Sequence, residues 1–183
     1  MIGQHAPKEA RDTHLKSALV IGLEEALTAL KEALHDLTDD QAHAFPIRGR
    51  NNIAWIVMHS LQVLDACANR FQTGQVCFAH DRRWDLWECS QGERPKAGDA
   101  FPAVAEMKDI LDKVCQATIT GLSAATERDL LGKRHAEGWW KGNAADAYVR
   151  AIFHAMAHVR QIWLLRGALG LTDGKTWPQQ HWA

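Results

Sequence analysis

No stretch of this sequence is apolar over the roughly 20 residues needed to cross a bilayer, so no membrane partner is expected. No stretch alternates apolar and polar residues as a half-buried strand does. An excess of positive charge is missing too: 21 Lys+Arg stand against 22 Asp+Glu, for a net charge of −1. General nucleic-acid binders carry a strong basic excess, so no nucleic-acid partner is expected either. The four cysteines, at 67, 77, 89 and 115, form no CxxC pair. A chain of 183 residues buries roughly two-thirds of its unfolded surface and needs no disulfide staples. Reduced thiols in a cytoplasmic compartment are the expectation. Met1 to Lys16 has no apolar core of a secretory signal. Internal repeats and low-complexity segments are absent, and the length fits one domain over 1–183.

What is present is helical periodicity. Residues 14–37 place Leu15, Leu19, Leu23, Ala26, Leu30, Ala33, Leu34 and Leu37 on one face, with Asp12 or Thr13 as N-cap. A polar connection with Pro46 and Gly49 follows. A second helix is expected from Asn52 to Gln72, facing inward with Ile53, Ile56, Val57, Leu64, Cys67 and Phe71. Residues 74–100 form a long connection holding Trp84 and Trp87, and connections of that length are often functional. A third helix runs from Pro102 to about Ala125. A connection with Trp139 and Trp140 leads to Asn143, the N-cap of a fourth helix, with Asp146 in its first turn and Gly170 as its stop. The pattern predicts an all-α four-helix bundle with a long connection between helices 2 and 3. Glu-x-x-His occurs once, as Glu32-Ala-Leu-His35 at the end of the first helix, and not on a pair of helices, which disfavours a di-iron bundle.

The fourth helix carries His154 and His158, four residues apart and therefore one turn apart on one face. Two imidazoles so placed can converge on one metal ion, and they lie at the edge of the core-facing stripe. Buried imidazoles need partners, and a shared ion supplies one. A third ligand comes most simply from a facing helix, and His59 on helix 2 is the best candidate. The remaining histidines, at 5, 14, 35, 43, 135 and 181, are expected on the surface or in loops. Cys77, His80 and Cys89 lack a fourth ligand and match no common zinc-finger spacing. Cys67 and Cys115 are read as small buried hydrophobes.

Asn52-Ile-Ala-Trp-Ile-Val-Met-His59 resembles the second-helix signature of the DinB/YfiT-like superfamily of metal-dependent four-helix-bundle proteins. His154-Ala-Met-Ala-His158-Val-Arg-Gln161-Ile resembles its last-helix signature, although Val159-Arg160-Gln161 lacks the Gly often found before the Gln. The resemblance implies a four-helix bundle in which His59, His154 and His158 hold nickel or zinc. It also implies a low-molecular-weight thiol as cofactor, since family members with assigned activity include thiol-dependent S-transferases.

A three-imidazole metal with an open position can activate a water or a thiol as nucleophile. The expected activity is therefore metal-dependent S-transfer or hydrolysis on a small-molecule substrate. The alternative is a non-catalytic, metal-stabilised dimeric binding or stress-response protein. Gln161, one turn from His158, is expected to hydrogen-bond a ligating imidazole. Trp139, Trp140, Trp84 and Trp87 line either a pocket around the metal or a face between subunits of a homodimer.

Overall fold

The computed structural model describes residues 8–70, 95–132 and 142–171. Helix α1 spans Lys8–Ala33, α2 Asp39–His43, α3 Ile53–Leu64, α4 Val104–Ala124, α5 Glu127–Leu131 and α6 Ala144–Ala168. A wider π-helical turn, Asp65–Arg70, continues α3. No strand forms among the described residues.

Four of these helices are long enough to make the bundle, as the periodicity predicts. The first differs from expectation at both ends. Asp12 and Thr13 stand inside α1 rather than capping it, because Glu9, Ala10 and Arg11 are good helix formers that extend the first turns. The helix stops at Ala33 and not at Leu37, since Asp36 adopts a left-handed conformation (φ 57°) that no helix can continue through. Two short helices, α2 and α5, also lie in stretches expected to be plain connections. Each begins with a capping box: Thr38 with Gln41, and Thr126 with Asp129.

The third long helix starts at Val104, two residues beyond Pro102, and its N-cap Ala103 has no side chain to offer. Asp39 of α2 supplies the missing acceptor, taking the Val104 N–H at 2.7 Å. His43, expected at the surface, is half-buried and meets the Pro102 carbonyl at 2.9 Å. By contrast, Asn143 caps α6 as the sequence predicts, accepting from Asp146 N–H at 2.9 Å while Asp146 returns the bond at 3.0 Å. At the other end of α6, Gly170 (φ 72°) closes a Schellman motif, with Leu171 N–H donating to Arg166 O.

Contacts between the long helices fix their directions. Lys16 donates to the Ser123 and Ala125 carbonyls while Lys31 pairs with Asp112, so α1 and α4 run antiparallel. Gly22 sits against Ile152, and Arg166 donates to the Ala33 and His35 carbonyls, so α1 and α6 run parallel. The bonds of α2 to the start of α4, and of Asn52 to His43 O, put the first residues of α3 and α4 at the same end. The order is up, down, down, up. Two consecutive parallel helices need a connection that returns along the bundle, and α4 alone is about 31 Å long. The length of the segment between α3 and α4 follows from this topology.

The core joins all four long helices. Leu23, Leu30, Met58, Leu61, Met107, Leu111 and Tyr148 are almost wholly buried in it.

Candidate metal centre

Asn52 begins the site. Wholly buried, it caps α3 by accepting from Trp55 N–H at 2.9 Å and donates its amide to His43 O at 3.1 Å. This sets the phase of α3, so that Trp55 and His59, one turn apart, point the same way. Their rings stack at 4.7 Å with only 12° between planes. Trp55 is 2% exposed and His59 7% exposed, so the indole walls off one face of the imidazole. What Trp55 packs against is therefore His59 itself, a contact that its place in the sequence does not announce.

His154 and His158 approach from α6, both half-buried. His154 Nε2 lies 3.2 Å from His59 Nε2 and 3.1 Å from His158 Nε2. The ligand atoms of all three residues fall within 4.8 Å of one another. Thus the three histidines singled out from the sequence, of which His59 and His154 stand 95 residues apart, are brought to one point. They could hold a metal ion. Gln161 Oε1 meets His158 Nδ1 at 2.9 Å. An amide oxygen can only accept, so His158 Nδ1 donates and its Nε2 keeps the lone pair.

That tautomer bears on whether a metal fits. With His158 Nε2 unprotonated, a proton on His154 Nε2 can satisfy one neighbour but not both. Three convergent imidazole nitrogens are a donor set suited to zinc, nickel, copper or iron. Two nitrogens on one tetrahedral ion at 2.0–2.1 Å stand about 3.3 Å apart. The spacings of 3.1 and 3.2 Å are close to this, and the residues fit the group.

Electrostatics keep the rings in the ligating form. Burial, reinforced by neighbouring His158, His59 and Arg150, pushes the His154 imidazolium down to about 3. Burial also lowers His158, against a raising effect of its bond to Gln161. Both rings are therefore neutral at pH 7. Arg150, one turn before His154, is a neighbour that sequence reasoning missed; only its i, i+4 spacing could have signalled it. Elsewhere, burial raises Cys67 and Cys115 to about 12, so neither is a nucleophile.

A model of the DinB superfamily matches residues 22–162, from the middle of α1 to the residue after Gln161. The chain belongs to the DinB superfamily. Among solved structures, a conserved protein from Enterococcus faecalis shares this DinB fold with a TM-score of 0.58 at 17% identity. The alignment covers 84% of this chain and 96% of that one. No curated protein matches the chain in sequence. Trp84, Trp87, Trp139 and Trp140, like Cys77, His80 and Cys89, lie outside the described residues.

Proposed function

We propose that this DinB-superfamily chain is a metal-dependent enzyme in which His59, His154 and His158 hold one divalent ion, nickel or zinc. The observation that carries this reading is the convergence of three Nε2 atoms, one of them with its tautomer set by Gln161. When bound, such an ion supplies positive charge that lowers the pKa of a water or thiol toward neutrality. The protein's own groups prepare the site. Trp55 holds the His59 ring in one plane. Gln161 holds the proton of His158 on Nδ1, away from the centre. Burial keeps His154 neutral and ready to ligate.

The reaction this supports is S-transfer from a low-molecular-weight thiol, or hydrolysis, on a small-molecule substrate, with the chain acting as a homodimer. No other described His, Cys, Asp or Glu cluster could hold an ion, which concentrates the chemistry here. Cytoplasmic residence is proposed because Cys67 and Cys115 are both free and buried, as suits a reducing compartment.

Metal content per chain tests the reading. Elemental mass spectrometry of tag-free protein, reconstituted with nickel or zinc, should give about one ion per chain, and His158→Ala should lose it. A thiol added to nickel-loaded protein should then produce a sulfur-to-metal charge-transfer band. No metal after reconstitution overturns the site. Metal without any response to thiols or other small ligands overturns the enzyme and leaves a closed structural centre.

A further inference from the structure

Resting on His59, His154 and His158 as the metal ligands, we propose that the small molecule bound at this centre carries a carboxylate, and that Arg150 holds it.

Arg150 stands on α6 four residues before His154, as His154 stands four before His158. Side chains at that spacing share a face, with Cβ atoms roughly 5–6 Å apart. The three therefore form one row along α6. Arg150 is its exposed end, and both imidazoles are half-buried. The row runs beside α3 and the π-helical turn that continues it, since His154 meets His59 of α3 and α6 also packs on the turn. Arg150 is near enough to act on two groups at once, the His154 ring and the Cys67 thiol of that turn. The guanidinium is thereby placed along the seam between α6 and the turn. From His59 toward Cys67, the side of α3 that carries His59 continues with Val63 and Ala66, at i+4 and i+7, both half-buried. The order along the seam is imidazoles, a short apolar wall and then a cation.

Charge decides what this seam receives. The groups whose charge acts on His154 are His158, His59 and Arg150, and none of them is negative. The metal cluster contains no Asp or Glu either. Three neutral imidazoles leave both charges of a divalent ion uncompensated, and Arg150 adds another of the same sign. A guanidinium beside a cation site opposes metal binding, so holding the ion is not its task. Its sign suits an anion, and its planar fork matches a carboxylate with two parallel hydrogen bonds. One guanidinium balances one carboxylate, whereas a phosphate dianion calls for more positive charge than one Arg supplies. Arg150 also has an interaction of its own within the chain. Its five N–H donors allow it to keep that interaction and still bond a carboxylate. The molecule described has an ion-ligating head, a spacer spanning about one helical turn, roughly 5 Å, and a carboxylate at the far end.

Calorimetric titration of nickel-loaded protein with two matched thiols tests this. Mercaptopropionate and mercaptopropanol, each with its thiol at the opposite end of the chain, differ as carboxylate against alcohol. Wild type should bind the acid roughly tenfold more tightly or better, as a hydrogen bond between charged groups gives. Arg150→Gln should bring the two affinities within about twofold of each other by weakening the acid and sparing the alcohol. Arg150→Lys should keep part of the preference. Arg160, also exposed, lies on the opposite side of α6 from His158. Arg160→Gln removes the same charge and should leave the preference intact, which separates a local guanidinium from net charge. Nickel content should be undiminished in Arg150→Gln, because a repelling charge has gone. Equal affinities in wild type overturn the proposal and leave the metal ligands standing. A preference that persists in Arg150→Gln also overturns it, and is the result of a carboxylate that chelates the ion itself. Nickel lost in Arg150→Gln overturns it too, making Arg150 part of what holds the metal. Wild type that binds no nickel overturns the metal ligands and this proposal together.

Discussion

Helix α3 buries eleven of its twelve residues, whereas α6 buries ten of twenty-five, and the candidate metal centre takes its imidazoles from both. The difference shows in how each ring is held. His59 is fixed by surrounding core: Asn52 sets the helix phase, Trp55 covers the ring, and Met58 and Leu61 on either side are fully buried. His154 and His158 are set by helix geometry, one turn apart, and Gln161 bonds His158 from the rim. A site built half from core and half from edge should fail in two different ways when each half is disturbed.

Removing the core half should have the largest effect. Trp55→Ala deletes a buried aromatic and should cost about 3–5 kcal/mol of stability, read by urea unfolding of metal-free protein. It should also weaken metal binding, because the His59 ring loses the face it stacks on. Trp55→Phe should restore most of the binding with part of the stability. A loss below about 1 kcal/mol in Trp55→Ala would show that the core does not hold His59.

Disturbing the rim should separate affinity from stability. Gln161 is exposed, and its side chain bonds His158 Nδ1. Gln161→Ala should lower metal affinity by about ten- to a hundredfold. The metal-free protein should change by no more than about 0.5 kcal/mol, as surface substitutions usually do. Gln161→Glu keeps an acceptor at Nδ1 and should recover the affinity. Equal affinity in Gln161→Ala and wild type would remove any role for this bond.

The same division explains what could be read from the sequence. The four long helices, the Asn143 cap and the Gly170 stop follow from local periodicity and short-range side-chain bonds, which a sequence displays. The convergence of His154 and His158 is legible for that reason too. His59 as third ligand depends on which helix faces which, and only the family resemblance of its segment bears on that. What stayed hidden depends on long-range contact. Asp39 caps α4 from 65 residues away, a bond that no local pattern announces. The α1 end at Asp36 was missed because Asp rarely takes a left-handed conformation, and Gly is the usual signal. The stacking of Trp55 on His59 has i, i+4 spacing, but spacing alone does not distinguish a ring stacked on a ligand from one packed in the core.

The most gradual expected effect concerns protons, and it sharpens the contrast on the α6 side. In the folded, metal-free protein the His154 ring takes a proton only near pH 3, because burial and the neighbouring His158, His59 and Arg150 oppose its charge. In the unfolded chain an imidazole protonates near pH 6.5. Above that pH both states carry a neutral ring and stability is unaffected. As pH falls through about 6.5 the unfolded chain binds a proton that the folded chain refuses, so stability drops, and it goes on dropping until about pH 3. One such group lowers the melting temperature by no more than roughly 5 °C per pH unit in a chain of this size. Melting curves of metal-free protein from pH 8 to pH 4.5 should show this decline beginning below pH 6.5. His154→Ala should flatten the decline, since the ring that resists protonation is gone. Gln161→Ala should leave it nearly in place, because that bond raises His158 and plays no part in the burial of His154. Identical slopes in His154→Ala and wild type would show that His154 is as easily protonated in the fold as outside it, and that the edge half of the site is wetter than its packing indicates.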